Sequence, residues 1–139
     1  MAPRTNVLFT YAYTDAELTR FSRYDPIFMV TEDLSGNTPA WVPTNVFSSW
    51  IRQGLPAGFA VGGGIGYVGE RWLNDTNDFV VDGQINVDAA LYYDNGPFQV
   101  VANFKNITDA TQYSRIIAFD ALRPEPGFNM SVGVRTSFR

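Results

Sequence analysis

The sequence predicts an all-β fold, an antiparallel up-and-down meander of about six strands that forms part of a transmembrane β-barrel. Large apolar side chains recur at every second position in several segments, which is the period of a β-strand. Aromatic residues make up 15% of the chain, although no long helical stripe is present. The connections between the predicted strands are alternately long and short.

Six segments show the two-residue period. It is clearest at residues 84–93 and 98–105, which flank a turn whose Asn and Gly tolerate positive φ. It is least regular at 45–53. The predicted strands cover residues 7–13, 45–53, 59–71, 84–93, 98–105 and 128–138.

The connections differ in length in a regular way. Short turns follow the second and fourth strands, whereas longer segments without a regular pattern follow the first, third and fifth. The long connections therefore project from one end of the sheet, as they do in outer-membrane barrels. Residues 15–44 are predicted to form a long surface loop, because compact soluble domains rarely leave so long a segment structureless.

The two faces of the predicted strands differ in polarity. One carries the large apolar residues, and the other carries side chains too polar for a small dry core. We therefore expect the apolar face to contact lipid, and lipid-phase quenchers to reach Trp50 and Trp72. Aromatic residues lie near both ends of the strands, as in interfacial girdles. They are Phe59, Tyr93, Phe98 and Phe138 at the short-turn end, and Tyr13, Tyr67, Phe79 and Phe128 at the long-loop end.

The composition of the 139 residues excludes much enzyme chemistry. Without Cys or His there is no disulfide, thiolate nucleophile or imidazole base. The net charge is −4 and the cations are scattered, which argues against a nucleic-acid partner. We predict no enzymatic activity, no cofactor and no metal site. The oxygen-rich segment 74–78 lacks the EF-hand spacing and is interpreted as a solvated loop rather than a Ca²⁺ site.

Two other architectures are compatible with the alternation. A small soluble β-barrel or sandwich would turn the apolar face inward around an apolar ligand. A complete eight-stranded membrane barrel would need two further strands within 15–44, where Phe28-Met29-Val30 is the only candidate run. The pattern Gly64-x-Gly66-x-x-Gly69 followed by Asp88 matches a dinucleotide fingerprint, but it lies inside a predicted strand and opens no helix.

An ordered set of motifs also resembles a known family. The set comprises Tyr11–Ala16, Val42–Asn45 leading to Trp50, Gly62–Arg71, Val87–Tyr93, and Asn103–Asp109 followed by Tyr113. Together they resemble the C-terminal end of TonB-dependent outer-membrane siderophore receptors. The residues assigned to these structural motifs are Gly64, Gly66, Tyr67, Gly69, Asp88, Asn106, Asp109 and Phe138.

The resemblance implies a role as barrel wall and surface loops of a ferric-siderophore receptor in the bacterial outer membrane. It implies four partners: the ferric siderophore, outer-membrane lipid, the barrel-assembly machinery, and TonB acting only through N-terminal parts absent from this chain. The plug domain and most of the barrel are likewise absent, so six strands correspond to the last six of a larger barrel. The family usually ends on an aromatic residue, whereas here Arg139 follows Phe138.

The last long loop carries the candidate ligand-binding residues. Iron chelates are often anionic or aromatic, and Arg with aromatic side chains binds such ligands by charge and stacking. The candidates are Tyr113, Arg115, Phe119 and Arg123.

Overall fold

The protein is described by a computed structural model that covers residues 4–118 and 121–136. Extended strands dominate these described residues, which contain one helical element, a single 3₁₀ turn at Pro56–Gly58. Within these ranges no helix has the length and apolar character needed to cross a membrane. The strands are β1 (Thr5–Tyr13), β2 (Ser22–Asp25), β3 (Val30–Asp33), β4 (Asn45–Gly54), β5 (Phe59–Val68), β6 (Arg71–Trp72), β7 (Val80–Val81), β8 (Gln84–Asp94), β9 (Phe98–Lys105), β10 (Tyr113–Ala118), β11 (Ala121–Pro124) and β12 (Asn129–Thr136).

Six long strands form one antiparallel sheet in the order β1-β4-β5-β8-β9-β12. These are the six predicted strands in the predicted order, so the meander is confirmed. The third strand ends at Val68 rather than at residue 71, although the Gly69 N–H still donates to the Asn45 carbonyl of the neighbouring strand at 2.8 Å. Phe138, which the prediction placed in the last strand, lies outside the described residues.

Each long connection contains a two-stranded hairpin, so the expectation of segments without regular structure was wrong. Loop 1 (14–44) contains β2–β3, loop 2 (69–83) contains β6–β7, and loop 3 (106–128) contains β10–β11. Short hairpins give these long segments partners for backbone groups that would otherwise be unpaired. Val30 opens a strand of four residues, less than half of the 9–11 that a membrane-spanning strand needs. That length removes the support for a complete eight-stranded barrel.

The register divides the sheet into an apolar face and a polar face. Val134 pairs with Val100, and Ile65 pairs with both Ser49 and Val87. Most of the large side chains of the apolar face are exposed, and the others are half-buried; Val134, for example, is 66% exposed. The apolar face consists mainly of Val7, Phe9, Tyr11, Phe47, Ile51, Phe59, Val61, Ile65, Tyr67, Ile85, Val87, Leu91, Tyr93, Phe98, Val100, Phe104, Met130, Val132 and Val134.

Few side chains are buried, and the buried ones are small or lie in the loops. Ala60 and Ala90 lie in the sheet, whereas Leu34, Leu73 and Val81 lie under the loops. Among the described residues, no large side chain is fully buried. A soluble sandwich would cover its apolar face, so this distribution is that of a membrane-barrel wall rather than of a small soluble barrel.

The short turns form the opposite end of the sheet. Gly58 adopts φ +83°, and Gly96 adopts φ +71°. The Asp94 carboxylate accepts the Gly96 N–H at 3.0 Å, which closes the second turn. Beside this turn the rings of Phe59 and Tyr93 are 4.7 Å apart on the apolar face, where the sequence predicted an aromatic girdle.

Candidate functional site

The three long loops meet at one end of the sheet. Asp75 and Asn77 of loop 2 form a clasp with residues 37–40 of loop 1. Asn77 accepts the Thr38 N–H at 2.9 Å and donates to the Thr38 carbonyl at 2.8 Å. The Asp75 carboxylate accepts the Ala40 N–H at 2.7 Å, and the backbone carbonyl of Asp75 accepts from the Asn37 side chain at 2.8 Å. The segment predicted to be a solvated loop therefore binds a neighbouring loop.

Arg71, at the start of β6 in loop 2, contacts both of the other long loops. Its side chain is buried, and the residue is 6% exposed. The guanidinium lies 4.7 Å from the ring centroid of Trp41 in loop 1 and donates through Nη2 to the Tyr113 carbonyl in loop 3 at 2.9 Å. The backbone N–H of Trp41 donates to the Trp72 carbonyl at 2.9 Å. Burial lowers the pKa of Arg71, but an arginine keeps its charge at any physiological pH.

Loop 3 is attached to the beginning of β8. The Tyr113 N–H donates to the Gln84 side-chain oxygen at 3.2 Å, and the Gln112 side chain donates to the Ile85 carbonyl at 3.1 Å. The Glu125 N–H returns to the Gln112 carbonyl at 2.8 Å and closes the base of the β10–β11 hairpin. Tyr113 is therefore held through both of its backbone groups.

The Asn106 and Asp109 positions form the turn where loop 3 leaves β9. Asn106 is 4% exposed, and its side chain donates to the Ala110 carbonyl at 2.9 Å and accepts the Ala110 N–H at 3.0 Å. Asp109 accepts the Phe128 N–H at 2.7 Å, immediately before β12. Both residues adopt φ +50°, a conformation that Asn and Asp tolerate. These contacts give the motif a structural role: they tie the two ends of loop 3 together.

Asp88 lies on the polar face next to this turn. Its carboxylate accepts from Lys105 Nζ at 2.6 Å, from the Asn106 N–H at 3.0 Å and from the Asn86 side chain at 2.9 Å. Asp88 therefore joins β8, β9 and the start of loop 3. This is a structural position, and it does not resemble the ribose contact of a dinucleotide site.

Trp50 lies on the polar face, which contradicts the expectation that it faces lipid. It pairs with Gly64, which pairs with Asp88. Its indole covers Gly62 and Gly64, where a Cβ would collide with the ring. Trp72 belongs to β6 in loop 2, outside the six-stranded sheet, so the expectation fails for it as well. A cleft of about 240 Å³ beside Trp50 is lined by residues that include Leu8, Ser48 and Asp88.

The remaining glycine positions of the motif have different surroundings. A Cβ at Gly69 would lie 3.0 Å from the Asn45 carbonyl oxygen, so this backbone approach is close. A Cβ at Gly66 would meet only the Asn86 Cβ at 4.0 Å. Tyr67 lies on the apolar face at the loop end, and its hydroxyl is 2.9 Å from a Cβ built on Gly83. The fingerprint pattern therefore lies in β5 up to Val68, with Gly69 just after the strand, and it opens no helix.

The β10–β11 hairpin places three of the four candidate ligand-binding positions together. Arg115 pairs with Arg123, and Tyr113 pairs with Pro124. Arg123 is exposed. Phe119 lies outside the described residues, and the backbone alone of Arg115 is described. Within the described part of the chain, no group of three or more acidic side chains is arranged to hold a metal ion.

Sequence reasoning did not single out Trp41 or Arg71. Both lie beside motifs that it used, since Trp41 precedes Val42-Pro43-Thr44-Asn45 and Arg71 ends the glycine-rich motif. The signal available was their residue type, because Arg and Trp form the strongest cation–π pairs in proteins. Nothing in the sequence indicated that they contact each other.

Comparison with known proteins gives sequence matches to two siderophore receptors. The chain is 34% identical over 98 residues to the ferrichrome outer membrane transporter/phage receptor of Escherichia coli strain K12, a match that covers 68% of the chain and 12% of that protein. It is 35% identical over 81 residues to the ferrioxamine receptor of Yersinia enterocolitica, covering 53% of the chain and 11% of that protein. The chain thus spans about an eighth of the length of these relatives. No family model matches it.

Solved structures with the same fold are also siderophore receptors. The siderophore receptor PiuA from Acinetobacter baumannii superposes with a TM-score of 0.81 at 21% identity, covering 94% of this chain and 19% of that one. BauA, the ferric preacinetobactin receptor from the same organism, superposes with a TM-score of 0.59 at 22% identity, covering 76% and 16%. At these identities the likeness is one of fold.

The fold and the sequence matches define the class: this chain is a segment of a transmembrane β-barrel of the bacterial outer membrane. Its homologues are TonB-dependent siderophore receptors, matched over part of the chain. That is the family whose motifs the sequence resembles.

Proposed function

We propose that this chain forms barrel wall and outer loops of a receptor that takes up ferric siderophores across the outer membrane. The observation that carries the proposal is the division of the sheet: an exposed apolar face, an opposite face with Asp88 and Lys105, and three joined loops at one end. The 34% identity to a ferrichrome transporter supports the same class of cargo.

The proposed arrangement places lipid against the apolar face and water or other receptor segments against the polar face. The edge strands β1 and β12 have no partner on their outer sides in the described sheet. An unpaired strand edge is not tolerated in lipid, so we propose that further strands of a larger barrel complete both edges. The barrel-assembly machinery would act on that larger barrel, and TonB would supply energy through receptor segments outside this chain.

The proposed ligand contacts lie on loop 3. Arg123 is exposed on the β10–β11 hairpin next to the Arg115 position, and Tyr113 begins the hairpin. Two arginines and two aromatic residues on one loop suit an anionic or aromatic iron chelate, because guanidinium groups bind by both charge and stacking. Phe119 is the fourth proposed contact. No chemical step occurs at this site, and the proposed role is that of a receptor and transporter.

The test is iron uptake by cells that express the receptor containing this chain. Radioactive iron is supplied as ferrichrome or as ferrioxamine, with and without an intact TonB system. Uptake of at least one chelate that requires TonB supports the proposal. Arg123→Ala should weaken chelate binding, whereas Arg20→Ala, an exposed cation on loop 1, should leave it unchanged. Absence of binding and uptake for both chelates would overturn the proposal.

A further inference from the structure

Arg71 is a buried cation whose described partners come from the other two long loops and from its own. In the described part of the chain no carboxylate lies within 4.0 Å of its guanidinium. Its contacts are the Trp41 ring at 4.7 Å, the Tyr113 carbonyl at 2.9 Å and the Gly69 carbonyl at 3.4 Å. A desolvated charge strengthens its bonds to neutral acceptors and to an aromatic face, since water no longer competes.

The contacts around Arg71 link the loops into a continuous network. Loop 1 is joined to loop 2 by the clasp of Asp75 and Asn77 and by the bond from the Trp41 N–H to the Trp72 carbonyl. Loop 2 is joined to loop 3 through the bond from Arg71 to the Tyr113 carbonyl. Among the described residues, no other hydrogen bond that involves a side chain joins loop 2 directly to loop 3.

We propose that Arg71 is a positioning residue that joins the three long loops into one rigid rim and fixes the orientation of the ligand-binding hairpin. The ligand part of this inference rests on the proposed function. Arg71 donates to the backbone carbonyl of Tyr113, while the backbone N–H of Tyr113 donates to the Gln84 side chain. With both backbone groups held, the direction in which β10 leaves the sheet is set before any ligand arrives, which reduces the ordering cost of binding.

The rim itself can be tested without a ligand. The chain contains no cysteine, so Thr19→Cys and Glu125→Cys place spin labels at exposed positions on loops 1 and 3. The distance between the labels is measured in the intact receptor by pulsed electron resonance. A single narrow distribution is expected, and Arg71→Met should broaden it at least twofold. The matched control is Arg52→Met, since Arg52 also stacks on a ring, that of Tyr92, but near the short turns. An unchanged distance distribution in Arg71→Met would contradict the proposal that Arg71 joins the loops into a rigid rim.

The positioning role is tested by chelate binding to the same receptors. Arg71→Met should weaken the affinity for the chelate that the wild type binds about tenfold, with no change in the number of binding sites per folded receptor. Arg71→Lys keeps the charge but not the planar fork, so it should recover part of the affinity. If Arg71→Met binds as tightly as the wild type, the positioning role is wrong. If the wild type binds neither chelate, the proposed function is wrong, and so is the effect of Arg71 on chelate affinity. The label distances still test whether Arg71 joins the loops rigidly.

Discussion

The indole of Trp50 lies so close over Gly62 that a Cβ at this glycine would be 2.8 Å from Trp50 Cζ2. The next glycine on the same face, Gly64, lies under the same ring and also against the Ser49 carbonyl. The small side of β5 is therefore filled by the aromatic side chain of its neighbour β4. These glycines are required for close packing between adjacent strands.

This packing predicts different effects for two neighbouring glycines. Gly64→Ala should lower the free energy of unfolding by about 1–3 kcal/mol, because the new methyl group has to displace the ring or the Ser49 backbone. Gly66→Ala should change it by less than about 1 kcal/mol, since a Cβ there would make only an ordinary contact with the Asn86 Cβ at 4.0 Å. Urea unfolding of the detergent-solubilised receptor measures both. Equal effects of the two substitutions would contradict the packing described here.

The turn after β9 predicts a strong effect at Asn106. Asn106→Ala removes a buried side chain that satisfies the Ala110 N–H and carbonyl, so it should cost about 2–4 kcal/mol. The measured quantity is the fraction of receptor that folds, read from its heat-modifiable migration on a gel. Asn103→Ala is the matched control on the polar face, because the Asn103 side chain forms no hydrogen bond among the described residues. A folded fraction as high as that of the control would show that the turn is dispensable.

The clasp between loops 1 and 2 predicts a change in protease sensitivity. Asn77→Gly keeps the positive φ of 58° accessible but removes both hydrogen bonds to Thr38. Loop 1 should then open more often, and trypsin should cleave after Arg20 or Arg23 several times faster. Asn95→Gly, in a short turn at the other end of the sheet, is the control. Cleavage at the wild-type rate in Asn77→Gly would mean that the clasp does not hold loop 1.

The turn after β3 predicts a dependence on pH. The Asp33 carboxylate accepts from the Ser35 hydroxyl at 2.6 Å and from the Ser35 N–H at 3.0 Å, which lowers the pKa of Asp33. Because the folded pKa lies below the ordinary value, the turn is fully stabilised above that ordinary value and loses this contribution as the pH falls through the folded pKa. Ser35→Ala should move the pKa upward. The pH dependence of hydrogen exchange at the backbone amide of position 35, corrected for intrinsic rates, measures the pKa of Asp33. Identical pH profiles in the wild type and in Ser35→Ala would show that the Ser35 hydroxyl does not lower this pKa.

The sheet was predictable from the sequence because each long strand carries its own two-residue period. The face of the sheet on which Trp50 lies was not predictable, since β4 has large residues on both faces. The pairing of β4 with β5, which places Trp50 beside Gly62 and Gly64, determines that face. The loop hairpins were missed because their strands are short and depend on local turn contacts, such as the Asp25 carboxylate bound to the Ile27 N–H at 2.8 Å.

The candidate site was predictable in part. Loop 3 and its candidate ligand-binding residues follow from the positions of Tyr113, Arg115 and Arg123 in the sequence. The contact that holds the hairpin was not predictable, because Arg71 and Tyr113 are 42 positions apart and meet through a backbone carbonyl. A backbone acceptor is present at every residue, so no residue type in the sequence marks it.

The central claim, that the apolar face meets lipid and the polar face does not, is tested most directly by single cysteines along β12. Each of positions 130–135 is labelled in turn in the membrane-embedded receptor, and the accessibility of the label to oxygen and to a water-soluble nickel complex is measured. Oxygen accessibility should peak at Met130, Val132 and Val134, and nickel accessibility at Ser131, Gly133 and Arg135, with a period of two residues. Water accessibility at all six positions, or maxima in the opposite phase, would contradict the account.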